Sequence, residues 1–529
     1  FPVAAPSDKR PGLFAFTGAT IYTDYKTRIE GATLLIRDGK VEACGLNVAV
    51  PKDAVVTDCS GKTIYPAFID IYAAGYGLPT AAPDRPTGRG QRGLQGTDSA
   101  KKGAYDWNEA MKPEFNAADV FSPDAKAAEE LRKLGFGAVL TMQADGISRG
   151  TGAFVTLGSG PEHETILSLA ASHEMSFRKG SSSQAYPSSL MGCIALIRQT
   201  YLDGQWYKTD GYKEERNLSL EAWNAVQRLP QIFEASDKLD IFRIARIGKE
   251  FNVNYLVKTQ GDEYQRLDEV KATGQSLIVP VAFPENYDIK DPYEALDISL
   301  RDLKHWELAP GNPAAFEKAN IPFCFTTADL RDTKQFMTNL RKAFDFGLSE
   351  NKAFEALTKT PATLLGVYDK VGSLDAGKLA NFLITSGPIF SEKTVIYQNW
   401  IQGNKYAVNE TGWNNIAGTY NLTIKNSSGS TLNYTLDVKS ASAANVIGKD
   451  TLTGKFSYDG KLVKLSFSTR PQRRPEGAGM PPGGGFQGGG GRGGGSTIRL
   501  SGVSNGNTWQ GNGEDTAGGK VWWTATFVK

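Results

Sequence analysis

Tyr65-Pro-Ala-Phe-Ile-Asp-Ile-Tyr-Ala-Ala-Gly-Tyr-Gly77 is the stretch that most limits what this chain can become. It reads as a buried strand leaving a break at Pro66, with Ile69, Ile71 and Ala73 alternating against Asp70, Tyr72 and Ala74. Downstream, helix-length segments alternate with short apolar runs, as right-handed strand–helix–strand units require. Ser122 and Pro123 are predicted as the cap and first turn of a helix whose apolar face is Ala127, Ala128, Leu131 and Leu134, ended by Gly135. Strands are predicted at 136–142, 154–157, 230–236, 255–259, 277–283 and 321–327. Helices are predicted at 188–206 and 219–228, around Phe336, Leu340, Ala343 and Phe344, after Ser349, and from Thr360-Pro361 to Gly366.

On either side the period changes to two. Residues 13–65 alternate as strands, with Asp38-Gly39 marking a tight hairpin between 32–37 and 40–45. After Trp413 short alternating strands recur with Asn-, Ser- and Gly-rich turns such as Asn426-Ser-Ser-Gly and Asp459-Gly460, which predicts an antiparallel β-barrel or sandwich with a packed core. Residues 78–112 are rich in Gly, Pro, Arg and Lys and read as a long exposed loop, a solvated insertion or a loop for an anionic ligand. Gly477–Gly495 holds twelve glycines in nineteen residues, too little apolar surface to order itself. One arginine among those glycines sets the tract apart from RNA-binding Gly–Arg repeats.

Composition narrows the class. At 529 residues, roughly two to four domains are expected. No apolar run approaches the length of a membrane-spanning helix, and a formal charge of +2 gives no global pull toward nucleic acid. Cys44, Cys59, Cys193 and Cys324 are scattered; the first two lie on neighbouring predicted strands, where pairing or buried free thiols are both open. The N-terminal Phe1-Pro-Val-Ala-Ala-Pro-Ser reads as the start of an exported chain after a removed leader, or as a fragment boundary. His163, His173 and His305 each sit in polar sequence and read as surface or satisfied structural histidines.

The 65–77 stretch resembles the first barrel strand of the amidohydrolase superfamily, where Pro-Gly-Phe-Ile-Asp-x-His-x-His opens a metal-binding barrel. The hairpin ATLLIRDGKVEACG resembles the family's small β-sandwich, and 371–384 (VGSLDAGKLANFLI) resembles its returning "GSLxxGKxADLV" segment, with Asn381 where the family has Asp. AFEALTKTPATLLGV resembles its penultimate helix segment. The resemblance covers residues 13 to about 408. It implies an α/β fold: a (β/α)8 TIM-like barrel at 66–365 and a composite β-sandwich from 13–65 with 366–408, followed by an antiparallel β domain at 409–529, with 1–12 as a tail.

The family uses zinc or a similar divalent metal, held largely by histidine. Here Tyr72 and Ala74 stand at the first two histidine positions, and the resemblance places Glu234 at a third. Lys258, or Thr259 in the neighbouring register, stands at a fourth, with Asp329 near the family's catalytic aspartate. A phenol is a poor zinc ligand near neutral pH and a methyl group is none. The expectation is therefore a vestigial site of Tyr72, Ala74, Glu234, Lys258 and Asp329 with no catalytic residue and no metal in this chain. A salt bridge from Lys258 to Glu234, extending to Asp329, is expected in the metal's place.

The resemblance is strongest to amidohydrolase-family proteins of Bacteroidota envelopes, some of which carry a degraded module ahead of an intact one. It implies a scaffold half whose partner is a catalytic amidohydrolase half or separate subunit. A periplasmic or outer-membrane-associated place and an envelope complex follow, with neither nucleic acid nor a membrane span. Two other readings stay open: an envelope binding protein for a peptide or glycan, and a hydrolase acting on C–N bonds with metal recruited through Glu234, Asp329 and a histidine.

Overall fold

The computed structural model describes residues 12–79, 99, 101–288, 290, 292–409, 413, 416–426, 428–440, 442–452, 454–458, 462–468, 497–505 and 508–528. The tail 1–11, most of the Gly/Pro/Arg-rich loop, the Asp459-Gly460 turn and the 477–495 tract lie outside the described residues. The chain forms two units, 1–408 and 409–529.

In the first unit, β1 (Leu13–Tyr22), β2 (Arg28–Arg37), β3 (Lys40–Gly45), β4 (Val55–Asp58) and β5 (Thr63–Pro66) precede the barrel. Asp38 and Gly39 both adopt positive φ, 48° and 77°, as a two-residue hairpin turn needs. The barrel strands are β6 (Phe68–Asp70), β7 (Phe136–Thr141), β8 (Ser148–Thr156), β9 (Ile166–Ser176), β10 (Gln231–Glu234), β11 (Tyr255–Lys258), β12 (Ser276–Pro280) and β13 (Phe323–Thr326). After it, β14 (Phe382–Thr385), β15 (Ile396–Ile401) and β16 (Asn404–Ala407) return to the first strands, so both ends of the unit share one sheet in the order β16-β15-β14-β5-β1-β2-β3, with β4 also on β1. Phe16, Phe382 and Trp400 pack there with ring centroids 5.0 to 5.6 Å apart. Asn381 accepts the Gln402 amide at 2.8 Å, a structural task that an amide performs as well as a carboxylate.

The barrel strands follow one another in sequence order. All neighbours are parallel except β8, which runs antiparallel to both β7 and β9. This departs from a regular strand–helix alternation: the strand expected at 154–157 starts at Ser148, and the 166–176 strand has no counterpart in the periodicity reading. The inner layer carries Ile69, Leu140, Ile232, Leu256, Ile278 and Cys324, while Phe233, Val257, Val279 and Phe325 face the helices. Strand alternation dictates that split: Ile232 and Glu234 share one side of β10, and Leu256 and Lys258 one side of β11. The helix at Ala125–Lys133 is capped by Asp124, whose carboxylate accepts the Lys126 and Ala127 amides, and not by Ser122. Asp is as good a cap as Ser, and it sits next to the first turn.

The second unit contains β17 (Gly418–Asn426), β18 (Thr431–Ser440), β19 (Ala443–Ile447), β20 (Thr451–Leu452), β21 (Gly454–Tyr458), β22 (Leu462–Ser468), β23 (Thr497–Asn505), β24 (Thr508–Glu514) and β25 (Lys520–Phe527). They form one antiparallel sheet, β20-β19-β18-β17-β25-β24-β23-β22-β21, nearly closed where β19 meets β21. Trp509, Trp523, Tyr420, Leu436 and Phe467 fill its interior. The four cysteines are all free thiols. No helix among the described residues is long and apolar enough to cross a membrane.

Candidate functional site

The carboxyl-terminal rim of a barrel is where side chains from different strands converge. Glu234 and Lys258 are the last residues of β10 and β11 and are direct neighbours in the ladder. Tyr72 follows β6 by two residues, and Asp329 follows β13 by three. Because β8 runs in reverse, its first residues reach the same rim: Ser148 pairs with Met175 near the end of β9, which brings Arg149 to the mouth. Arg178 follows β9 by two residues.

Glu234 is the centre of the resulting network. Its carboxylate pairs with Arg149 at 2.7 Å and with Arg178. The Arg149 guanidinium donates to the Tyr72 phenol oxygen at 3.0 Å, and that hydroxyl donates to Glu234 Oε2 at 3.2 Å. Lys258 turns to Asp329 instead, its ammonium 5.9 Å from the centre of the Tyr72 ring. The salt bridge expected between Lys258 and Glu234 is thus replaced by two separate pairs, because two arginines invisible to the periodicity reading already saturate Glu234. Asp329 takes a positive φ of 64°, a conformation Asp tolerates better than most residues. Ala74 lies in an exposed turn outside the network. Thr259 is buried below the rim and bonds the Ile278 carbonyl.

Electrostatics follow from burial. Burial opposes the charge on Glu234, but Arg149, Arg178 and Lys258 together outweigh it and hold the carboxyl below the ordinary range. Burial pushes the Tyr72 phenol up, against the pull of Arg149, so it stays a neutral donor. Glu174, inside the barrel on β9, is pushed up to about 8 by burial, despite a hydrogen bond from Ser172 at 2.5 Å and the nearby Arg149. By formal charge the rim carries three basic side chains, Arg149, Arg178 and Lys258, against two acidic ones, Glu234 and Asp329.

A family metal does not fit this set. A divalent ion at the rim would meet a net positive charge and would have to displace Arg149 or Lys258 from carboxylates they already neutralise. Among the described residues no group of three or more His, Cys, Asp or Glu side chains could hold a metal. His173 is fully buried at the far, helix-facing side, bonded to Ser148 at 2.9 Å and Gln231 at 2.7 Å. His163 is exposed, and His305 stacks on Tyr264.

Residues 313–416, from the helix before β13 through the strands that return to the β domain, match the amidohydrolase family model. An amidohydrolase from Thermotoga maritima MSB8 superposes with a TM-score of 0.58 at 22% identity, covering 74% of this chain and 100% of its own. The first unit has the amidohydrolase fold, and its 313–416 segment matches that family. A Xaa-Pro dipeptidase with bound methionine matches more loosely, at 12% identity and a TM-score of 0.43 over 75% of this chain and 100% of its own. No curated protein matches the chain significantly.

Two buried groups of the first unit give it a pH signature. Glu174 in the folded chain holds a proton up to about 8, whereas an unfolded glutamate releases it near 4.5, so stability falls as pH rises through that window. His173 acts in the opposite sense: burial lowers it from 6.5 to about 4, so its contribution is lost as pH falls below 6.5. From pH 6.5 to 8 the Glu174 effect stands clear of His173. Urea midpoints of the first unit are expected to decline over that interval, and Glu174→Gln is expected to flatten the decline.

Proposed function

We propose that the barrel is a non-catalytic module of an amidohydrolase, with hydrolysis of C–N bonds left to a metal-holding module of the same family in the same protein or another subunit. The observation that supports this reading is the exchange of a metal's charge for protein charge. Arg149 and Lys258 each neutralise a rim carboxylate, and a cation held by a covalent side chain cannot activate water as a bound metal does. Tyr72 is a neutral hydrogen-bond donor in place of a ligand. The retained frame supports a scaffold or regulatory part, and we place that part in an exported, envelope-associated assembly.

A second reading, a small-ligand binding protein, draws on a cavity of about 460 Å³ at the rim, lined by Gln260, Asn286, His305, Asp329 and Asn339. One assay separates the readings. The full chain is incubated with a panel of dipeptides and N-acyl amino acids, with and without added zinc. The scaffold reading expects neither turnover nor saturable binding; the binding reading expects saturable binding without turnover. Zinc-dependent turnover that disappears in Glu234→Gln or Asp329→Asn would overturn both.

A further inference from the structure

The second unit carries a groove of about 1190 Å³ on the outward face of β21 to β25. Its floor is made close by glycines. A Cβ on Gly454 would lie 2.4 Å from the Ser466 carbonyl oxygen, and one on Gly513 would lie 2.2 Å from that of Arg499. Only residues without side chains let the strands coil this tightly, and the coiling turns an outer sheet face into a trough.

Ladder register fixes what lines it. One rung crosses five strands as Lys455, Ser466, Arg499, Glu514 and Lys520. The next rung on the same face is Ser457, Lys464, Ser501, Asn512 and Trp522. Four cations therefore face one carboxylate, and none of the four makes an ion pair among the described residues. The Trp522 ring is 54% exposed in a unit whose other two tryptophans in this sheet, Trp509 and Trp523, are buried. An exposed indole beside unpaired cations has no structural role in the core it turns away from.

We propose that this groove binds an acidic polysaccharide. The cations of the first rung sit on alternate strands, Lys455 on β21, Arg499 on β23 and Lys520 on β25, about 9–10 Å apart. A polymer with an anionic sugar at every residue or at every second one places charges at that spacing. The Trp522 face stacks on a sugar ring, and Ser457, Ser501 and Asn512 present hydroxyl and amide groups to its hydroxyls. A single-stranded nucleic acid is the less suited polyanion, since it takes a run of stacking rings and the groove holds one. An extended peptide would add to the free edge of a strand, whereas the groove runs across the side-chain face of five hydrogen-bonded strands.

The proposal rests on the second unit alone, so it stands or falls separately from the barrel reading. Its test is affinity electrophoresis and titration calorimetry of the full chain at low ionic strength against polygalacturonate, a sulfated glycosaminoglycan, fully methyl-esterified pectin and an oligo-dT strand. Binding to one or both acidic glycans is expected, without binding to the esterified polymer, and weakening as salt is added. Trp522→Ala is expected to weaken it about tenfold and Lys464→Glu with Arg499→Glu about a hundredfold. All three side chains point outward, and an unchanged unfolding transition of the unit checks that the variants fold. No binding to either acidic glycan, equal binding to the esterified polymer, tighter binding to oligo-dT, or variants that bind as wild type would each overturn it.

Discussion

Arg149→Met is expected to destabilise the first unit by about 3–5 kcal/mol, the range for removing one partner of a buried ion pair. The Arg149 side chain is 2% exposed, so its loss leaves Glu234 desolvated with Tyr72 and one remaining guanidinium. That guanidinium belongs to Arg178, whose side chain is 53% exposed and whose contribution solvent screens to about 1 kcal/mol or less. The two arginines that touch Glu234 are therefore unequal: Arg178→Met should be nearly silent. Adding Glu234→Gln to Arg149→Met removes the stranded charge and is expected to restore most of the loss, a coupling that urea denaturation of the four-member cycle measures. An Arg149→Met variant as stable as wild type would mean that the network does not hold the rim.

Asp70→Ala is the second large effect, expected at about 3–5 kcal/mol. Asp70 is fully buried between the first and last barrel strands. Its carboxylate accepts the Tyr72 amide at 2.9 Å, the Thr326 hydroxyl at 2.7 Å, and both the amide and hydroxyl of Thr327 at 2.9 and 2.6 Å. The sheet path runs from β6 to β13, so this one side chain joins its two ends. Alanine strands four donors at once; asparagine keeps one acceptor and should fall between. Hydrogen exchange should report the loss first at the amides of Tyr72 and Thr327, well before the strands on the far side of the barrel. Uniform acceleration across the unit would point to general destabilisation and away from a closing clamp.

The fold was legible where local chemistry decides it. The Asp38-Gly39 turn, the strand after Pro66, the shared side of Ile232 with Glu234 and of Leu256 with Lys258, and the alternating strands of the second unit all follow from period and turn residues. The frame was legible in the same way, since its motifs, far apart in the chain, fall on β2, β3, β5 and β14 of one continuous sheet. The candidate site was half legible. Tyr72, Glu234, Lys258 and Asp329 do meet at the rim, yet their pairing depends on Arg149 and Arg178. The reversal of β8 put Arg149 there, and direction has no periodicity signature; Arg178 comes from the end of β9, a strand the periodicity does not show. The Asp145-Gly146 pair was the available hint of a reversal between β7 and β8. Strand β9 was hidden for another reason: Ser172, His173, Glu174 and Ser176 are polar residues buried in satisfied pairs, so its interior does not look apolar.

Asp70 shows the same limit from the other side. Its place in a strand was plain, while its four partners lie up to 257 residues away in sequence. Long-range satisfaction of a buried carboxylate is set by closure of the barrel and not by its neighbours in the chain.

The most direct measurement is the metal content of the full chain after EDTA treatment, dialysis against excess zinc and removal of the unbound ion, read by mass spectrometry of the metal. With Arg149 and Lys258 occupying the rim carboxylates, zinc well below one equivalent per chain is predicted, unchanged in Glu234→Gln and Asp329→Asn. One tightly held equivalent that either substitution abolishes would contradict the account.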